Sequence, residues 1–199
     1  MHYLHLNLKI TDILTNKNIL FKGVDPAKYE SWHWELSVND LHKDFVDIVN
    51  QLGLTVEHVH VFKTNPFNKS WTVHRDWFLD SKGGENLIDI PKLNWIYGDN
   101  TTVMTWYQTN NGIDNPIKVN SVNSEDINAS YYKYNSNDVH KIDQTVIAQS
   151  SIIQAGVPHD VINLSGKNRW CVSVLFSKDN RHIGMEELTN LFKDYTINI

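Results

Sequence analysis

The sequence predicts a mainly β fold with flanking helices, of the sandwich or barrel type. Short runs of alternating, β-branched or aromatic residues recur through the middle and C-terminal parts of the chain. Turn chemistry separates them, as in Gly98-Asp99-Asn100 and Asn110-Asn111-Gly112. Only two stretches carry helical periodicity. Many short strands punctuated by turns favour a sandwich or barrel over alternating βα units.

Residues 3–10 alternate, with Leu4, Leu6, Leu8 and Ile10 on one face, as in a half-buried strand. Asn39 or Asp40 can cap a helix over 41–52, where Leu41, Phe45, Ile48, Val49 and Leu52 share a face and Gly53 is a natural stop. Residues 54–62 return to strand character. Residues 71–73 lead as a strand into His74, and 93–97 and 101–108 form two more. Further strands are expected at 139–153, 160–164 and 169–177, with Gly166 in the turn between the last two. Residues 110–138 are rich in Asn, Ser and Asp and read as a long loop or lid. Residues 184–195 read as a terminal helix with Leu188, Leu191 and Phe192 as its apolar stripe.

A chain of 199 residues suits one domain and should bury roughly 70 % of its unfolded surface. Its one cysteine, Cys171, excludes an intrachain disulfide and a Cys-rich zinc site and fits a reducing cytoplasm. No apolar run is long enough to span a bilayer, and no signal peptide is visible at the N-terminus. The net charge of −5 argues against a dedicated grip on duplex nucleic acid.

The chemistry concentrates in three places. In Thr72-Val73-His74-Arg75-Asp76, residues i and i+2 of a strand share a face, so His74 and Asp76 can converge on one ion. An imidazole and a carboxylate are two thirds of the facial triad that leaves open positions on a metal. A third ligand should come from a distant histidine on a neighbouring strand, and Gly156-Val157-Pro158-His159-Asp160 offers one. Ten residues after His159, Arg169 opens the apolar run Trp170-Cys171-Val172-Ser173-Val174-Leu175-Phe176. An arginine on an inward face among apolar residues needs an anion, and a guanidinium binds a carboxylate in bidentate fashion.

With these motifs the sequence resembles the Fe(II)/2-oxoglutarate-dependent oxygenases. More narrowly, it is similar to the aspartyl/asparaginyl β-hydroxylase and cis-prolyl hydroxylase branch and to small phage-encoded oxygenases. The likeness rests on His74-Arg75-Asp76, Ile90-Pro91-Lys92-Leu93-Asn94-Trp95, Met104-Thr105-Trp106-Tyr107, and the stretch from Gly156-Val157-Pro158-His159 to Arg169-Trp170. It implies a double-stranded β-helix, a cupin-like jelly roll, as a single domain over 1–199. The core would run over about 70–178, with support from 1–69 and a C-terminal helix at 184–195.

The resemblance implies Fe(II) on His74 and Asp76 of the second core strand and His159 of the seventh. It implies 2-oxoglutarate held by Arg169 of the eighth and its conversion to succinate and CO2; Ser173, on the same strand face, would help, and Asn94 either reaches the co-substrate or substrate or serves a turn or sheet edge. The substrate would be a small molecule or an exposed amino-acid side chain, and the setting the cytoplasm of a bacterium or a phage-infected host. Asp76 disfavours halogenation, because related halogenases lack this carboxylate. Cys171 shares a strand face with Arg169 and Ser173, which would make it a core residue close to the iron and open to oxidation. Two rivals keep the same ligands: a cupin-like metal-binding module without 2-oxoglutarate turnover, and a zinc hydrolase.

Other histidines read as structural. His58-Val59-His60 puts two imidazoles on one strand face but lacks a carboxylate at matching spacing. Asp138-Val139-His140 reads as surface, and His33 between Trp32 and Trp34 reads as packing or a rim residue.

Overall fold

The computed structural model describes residues 1–21, 31–67, 73–77, 89–98, 101–110, 117–120, 130–147 and 149–197. Strands β1 (Tyr3–His5), β2 (Ser31–Leu36), β3 (Thr55–Thr64), β4 (His74–Trp77), β5 (Pro91–Tyr97), β6 (Thr102–Thr109) and β7 (Ile117–Asn120) are followed by β8 (Ser130–Lys133), β9 (Val139–Val146), β10 (Ser150–Gln154), β11 (His159–Asn163), β12 (Arg169–Lys178) and β13 (Arg181–His182). Among the described residues, two helices, α1 (Lys43–Gln51) and α2 (Met185–Leu191), complete the regular elements apart from short 3-10 turns.

The strands form two antiparallel sheets. One runs β1-β10-β5-β12-β3-β2, with β13 on β12, and the other runs β7-β8-β4-β11-β6-β9. With β3, β4, β5, β6, β9, β10, β11 and β12 as core strands one to eight, the first sheet orders them six-three-eight-one and the second two-seven-four-five. The chain crosses between sheets at almost every step. This is the jelly-roll β-sandwich, the double-stranded β-helix that the motifs imply, and β4, β11 and β12 are its second, seventh and eighth strands.

Strand alternation divides the core in two. On β12, Trp170, Val172, Val174 and Phe176 face the helices; Arg169, Cys171 and Ser173 face the opposite sheet. The helix-side core joins Phe45 and Val49 of α1 and Leu188 and Phe192 to Val59, Val61, Leu93, Trp95 and Phe176. The Phe176 ring lies 6.5 Å from Phe45 and 6.2 Å from Phe192. The core between the sheets is smaller: Ile96, Met104, Trp106, Ile147, Ile153, Ala155 and Cys171. Buried polar residues share that interior, so the space between the sheets is only partly apolar.

Helix α1 starts where the His42 ring accepts from the Asp44 amide and carries Asp44 in its first turn, which suits the helix dipole. It ends as expected before Gly53, which takes a φ of +69°. Several expectations change. The segment 139–153 is two strands, β9 and β10, in different sheets. The crossing at 147–149 contains no Gly or Pro to mark it. The strand expected over 3–10 stops at His5, although Leu6 and Leu8 stay buried. The terminal helix stops at Leu191 and continues as a 3-10 turn over Lys193–Tyr195. The stretch 110–138 contains a strand pair, β7 and β8, that extends the second sheet beside β4. Its Asn- and Ser-rich composition hides two four-residue strands; residues 111–116 and 121–129 of that lid reading lie outside the described residues.

Candidate metal centre

Pairing of β4 with β11 sets His74 directly opposite His159. Their imidazole centroids are 4.5 Å apart. Asp76, two residues on, shares the His74 face, and its Oδ1 lies 3.9 Å from His74 Nε2. One ligand atom from each of His74, Asp76 and His159 falls within 4.8 Å of the others, so the three can hold one ion. Sequence reasoning named these three residues, and the fold brings them together.

Neighbouring groups prepare each donor. His159 Nδ1 lies 2.8 Å from the Val157 carbonyl. Donation of its N–H there leaves Nε2 as the lone-pair donor. Burial, with the His74 imidazole beside it, holds the His159 pKa down to about 4, so the ring is neutral and ready to ligate at neutral pH. Burial opposes the Asp76 carboxylate, but Lys92, His159 and His74 outweigh it and hold its pKa well below the usual carboxylate range. Lys92 Nζ donates to Asp76 Oδ2 at 2.5 Å, and Oδ1 faces His74. Tyr131 of β8 pairs with Asp76 across the strands and sets its ring edge-on to His74 at 5.8 Å.

Arg169 sits at the start of β12, at the end of the sandwich closed by the β11–β12 turn. Asn163 builds that turn. Its amide donates to the carbonyls of Asn65 at 2.9 Å and Lys167 at 3.0 Å, and its Oδ1 accepts from the Ser165 amide and hydroxyl. Gly98 (φ +105°) lets the neighbouring strand end close in: a Cβ there would lie 2.6 Å from the Asn168 carbonyl oxygen. Arg169 is 3 % exposed. Its Nε has no hydrogen-bond partner, and no acidic side chain pairs with it among the described residues. Burial pulls its pKa down, and the Cys171 thiol is the group that hydrogen-bonds to it.

Asn94 and Ser173, expected beside Arg169, are cross-strand partners on β5 and β12 and are both buried. The Asn94 Oδ1 likewise lacks a hydrogen-bond partner. Cys171 is a buried core residue, as its position suggested, and burial pushes its thiol up. His140 is exposed and bonded to Asn110, as expected of a surface residue.

Sequence reasoning missed Lys92 and Tyr131. Lys92 is nearly fully buried, and its position after Pro91 in a short polar-apolar run gives no sign of that. Tyr131 lies in the stretch read as a loop. Two buried cations, Lys92 and Arg169, thus share the interior, and Asp76 neutralises only the first. A two-imidazole, one-carboxylate donor set fits a divalent metal ion, and the buried guanidinium in the same interior has no anionic side chain to answer it among the described residues.

No family model matches the chain. No curated protein matches it either. Among solved structures, it is similar to oxalate oxidase in complex with the substrate analogue glycolate, at 12 % identity over 94 % of this chain and 75 % of that one, with a TM-score of 0.37. It is also similar to Peruvianin-I, a cysteine peptidase from Thevetia peruviana latex, at 11 % identity over 92 % and 95 % of the two chains, with a TM-score of 0.35. Strand order, not these slight likenesses, identifies the jelly roll. No helix among the described residues is long and apolar enough to cross a membrane.

Proposed function

We propose that this protein is an Fe(II)- and 2-oxoglutarate-dependent dioxygenase that hydroxylates a small molecule or an exposed amino-acid side chain. The observation that carries the reading is Arg169, a buried guanidinium with an unpaired Nε, on the same interior as His74, Asp76 and His159. An uncompensated buried charge costs several kcal/mol, on the order of what a broken buried pair loses. A carboxylate ligand at this position removes that cost. A metal-binding module without an acidic co-substrate has no such use for Arg169.

Fe(II) bound by the three ligands, with 2-oxoglutarate, would supply O2 activation coupled to loss of CO2 and release of succinate. The chain's own residues set the conditions. His159 keeps Nε2 free by donating Nδ1–H to Val157. Lys92 occupies Asp76 Oδ2 and so turns Oδ1 toward the ion position. Arg169 would pair with the distal carboxylate of the co-substrate, with the Ser173 hydroxyl and Asn94 amide on the adjoining strand face as further polar contacts. Met104, Trp106, Ile153 and Ile96 supply apolar packing beside these groups, and the lowered dielectric strengthens each of these charge interactions.

The test is turnover without added substrate: purified protein, Fe(II), ascorbate and 2-oxoglutarate in air, with succinate measured. Fe(II)-dependent succinate from the wild type and none from His74→Ala is the expected result. Metal binding with no succinate under any candidate substrate pool would reduce the protein to a metal-binding jelly roll. Metal-dependent hydrolysis without O2 would point instead to the zinc hydrolase.

A further inference from the structure

The two imidazoles of His58 and His60 lie on the face of β3 that Phe62 shares with the sandwich interior. Sequence reading set them aside for want of a carboxylate. Register supplies one: Glu35 of β2 is the direct cross-strand partner of His60. One ligand atom from each of Glu35, His58 and His60 lies within 4.8 Å of the others. His58 Nδ1 is 3.0 Å from Glu35 Oε1, and the His58 and His60 rings are 5.7 Å apart.

We infer that Glu35, His58 and His60 form a second divalent-metal site, which takes a borderline transition-metal ion such as Zn2+. The construction repeats that of the first cluster. A strand contributes donors at i and i+2, and the paired strand contributes a third directly opposite one of them. Two imidazoles and a carboxylate are a common donor set for zinc, with the fourth position left to solvent.

Ligands about 2.0–2.2 Å from a shared tetrahedral ion lie about 3.3–3.6 Å from each other. The three ligand atoms, now within 4.8 Å of one another, would draw together on the ion, and His58 and Glu35 are both exposed. His60 is fixed from both sides, by Glu35 on β2 and Ser173 on β12, and is buried. The site therefore has one buried donor and two exposed ones, with an entry path from solvent, as a metal site needs. The ion would replace the His58–Glu35 contact and add a side-chain tie between edge strand β2 and β3.

The test is Zn2+ binding to the metal-free full chain at neutral pH, by competition with a chromophoric chelator and without 2-oxoglutarate. Wild type is expected to take two equivalents and His159→Ala one. Adding His58→Ala to His159→Ala should weaken the remaining equivalent by more than the ~10–100-fold that an outer partner costs. Glu35→Gln, nearly isosteric and exposed, should weaken it at least about tenfold. His58→Ala alone, in an otherwise intact chain, should lower two equivalents to one even if His159→Ala fails to fold. A single equivalent in the wild type, or a second one indifferent to both His58→Ala and Glu35→Gln, overturns the assignment.

Discussion

The two histidine clusters have nearly the same donors on the same strand geometry, yet their surroundings differ. Glu35, His58 and His60 stand at the edge of the first sheet with two members open to water. His74, Asp76 and His159 lie between the sheets, backed by Lys92 and an interior that also holds Arg169. Donor atoms decide whether an ion binds. The environment decides what chemistry follows, because low dielectric magnifies each fixed charge and an unpaired cation calls for an anionic ligand. Only the inner cluster has both.

The sharpest way to break this comparison is Arg169. Arg169→Ala should weaken 2-oxoglutarate binding by about 30- to 4,000-fold, the range for truncating one partner of a buried charge pair, as measured by calorimetry on the metal-loaded protein. Zn2+ uptake at the outer cluster should be unchanged. Arg169→Met should raise the thermal midpoint of the ligand-free protein, since it replaces an uncompensated buried charge with an apolar chain of similar size. A midpoint that falls would mean that Arg169 already has an anionic partner.

A second separation is by pH. His159 is neutral in the folded state down to about 4, whereas an unfolded histidine titrates near 6.5. Between those values the unfolded chain binds the proton and the folded one does not, so stability of the metal-free protein falls as pH falls through this window. The loss is on the order of 2–3 kcal/mol, readable from urea midpoints at pH 7 and pH 4. His159→Gln should flatten that part of the slope. An unchanged slope would show that His159 is not held neutral by burial.

Lys92→Met tests the support of Asp76. Loss of the Nζ–Oδ2 bond should cost the inner cluster about 10–100-fold in metal affinity, as other outer-shell partners do, and raise the Asp76 pKa toward the usual carboxylate range. Chelator competition measures the first effect. The smallest expected effect is structural. Gly98→Ala forces a Cβ against the Asn168 carbonyl at a positive φ and should cost about 1–3 kcal/mol, measured by chemical denaturation. Its consequence for the centre would be a displaced Arg169, seen as weaker 2-oxoglutarate binding with metal affinity retained.

The inner cluster was legible because its signals are local or ordinal. An i, i+2 pair fixes a shared face, and the order His74, Asp76, His159, Arg169 follows the order of the jelly-roll strands. Lys92 was not legible, since its burial comes from the opposite sheet closing over β5. Glu35 was missed for a related reason. It lies 23 residues from His58, and only the β2–β3 register shows that they meet. The β7 and β8 strands were hidden by a polar composition suited to loops, and the sheet change after β9 by the absence of turn residues. Local periodicity identifies faces; it does not say which face meets which.

The account stands or falls on whether 2-oxoglutarate chelates iron at the inner cluster. Anaerobic titration of the Fe(II)-loaded protein with 2-oxoglutarate, followed through the visible metal-to-ligand charge-transfer band, measures this directly. The account predicts a saturable band in the wild type, its loss in His74→Ala, and a much weaker apparent affinity in Arg169→Ala. Iron that binds His74, Asp76 and His159 but gives no band at any 2-oxoglutarate concentration would contradict it.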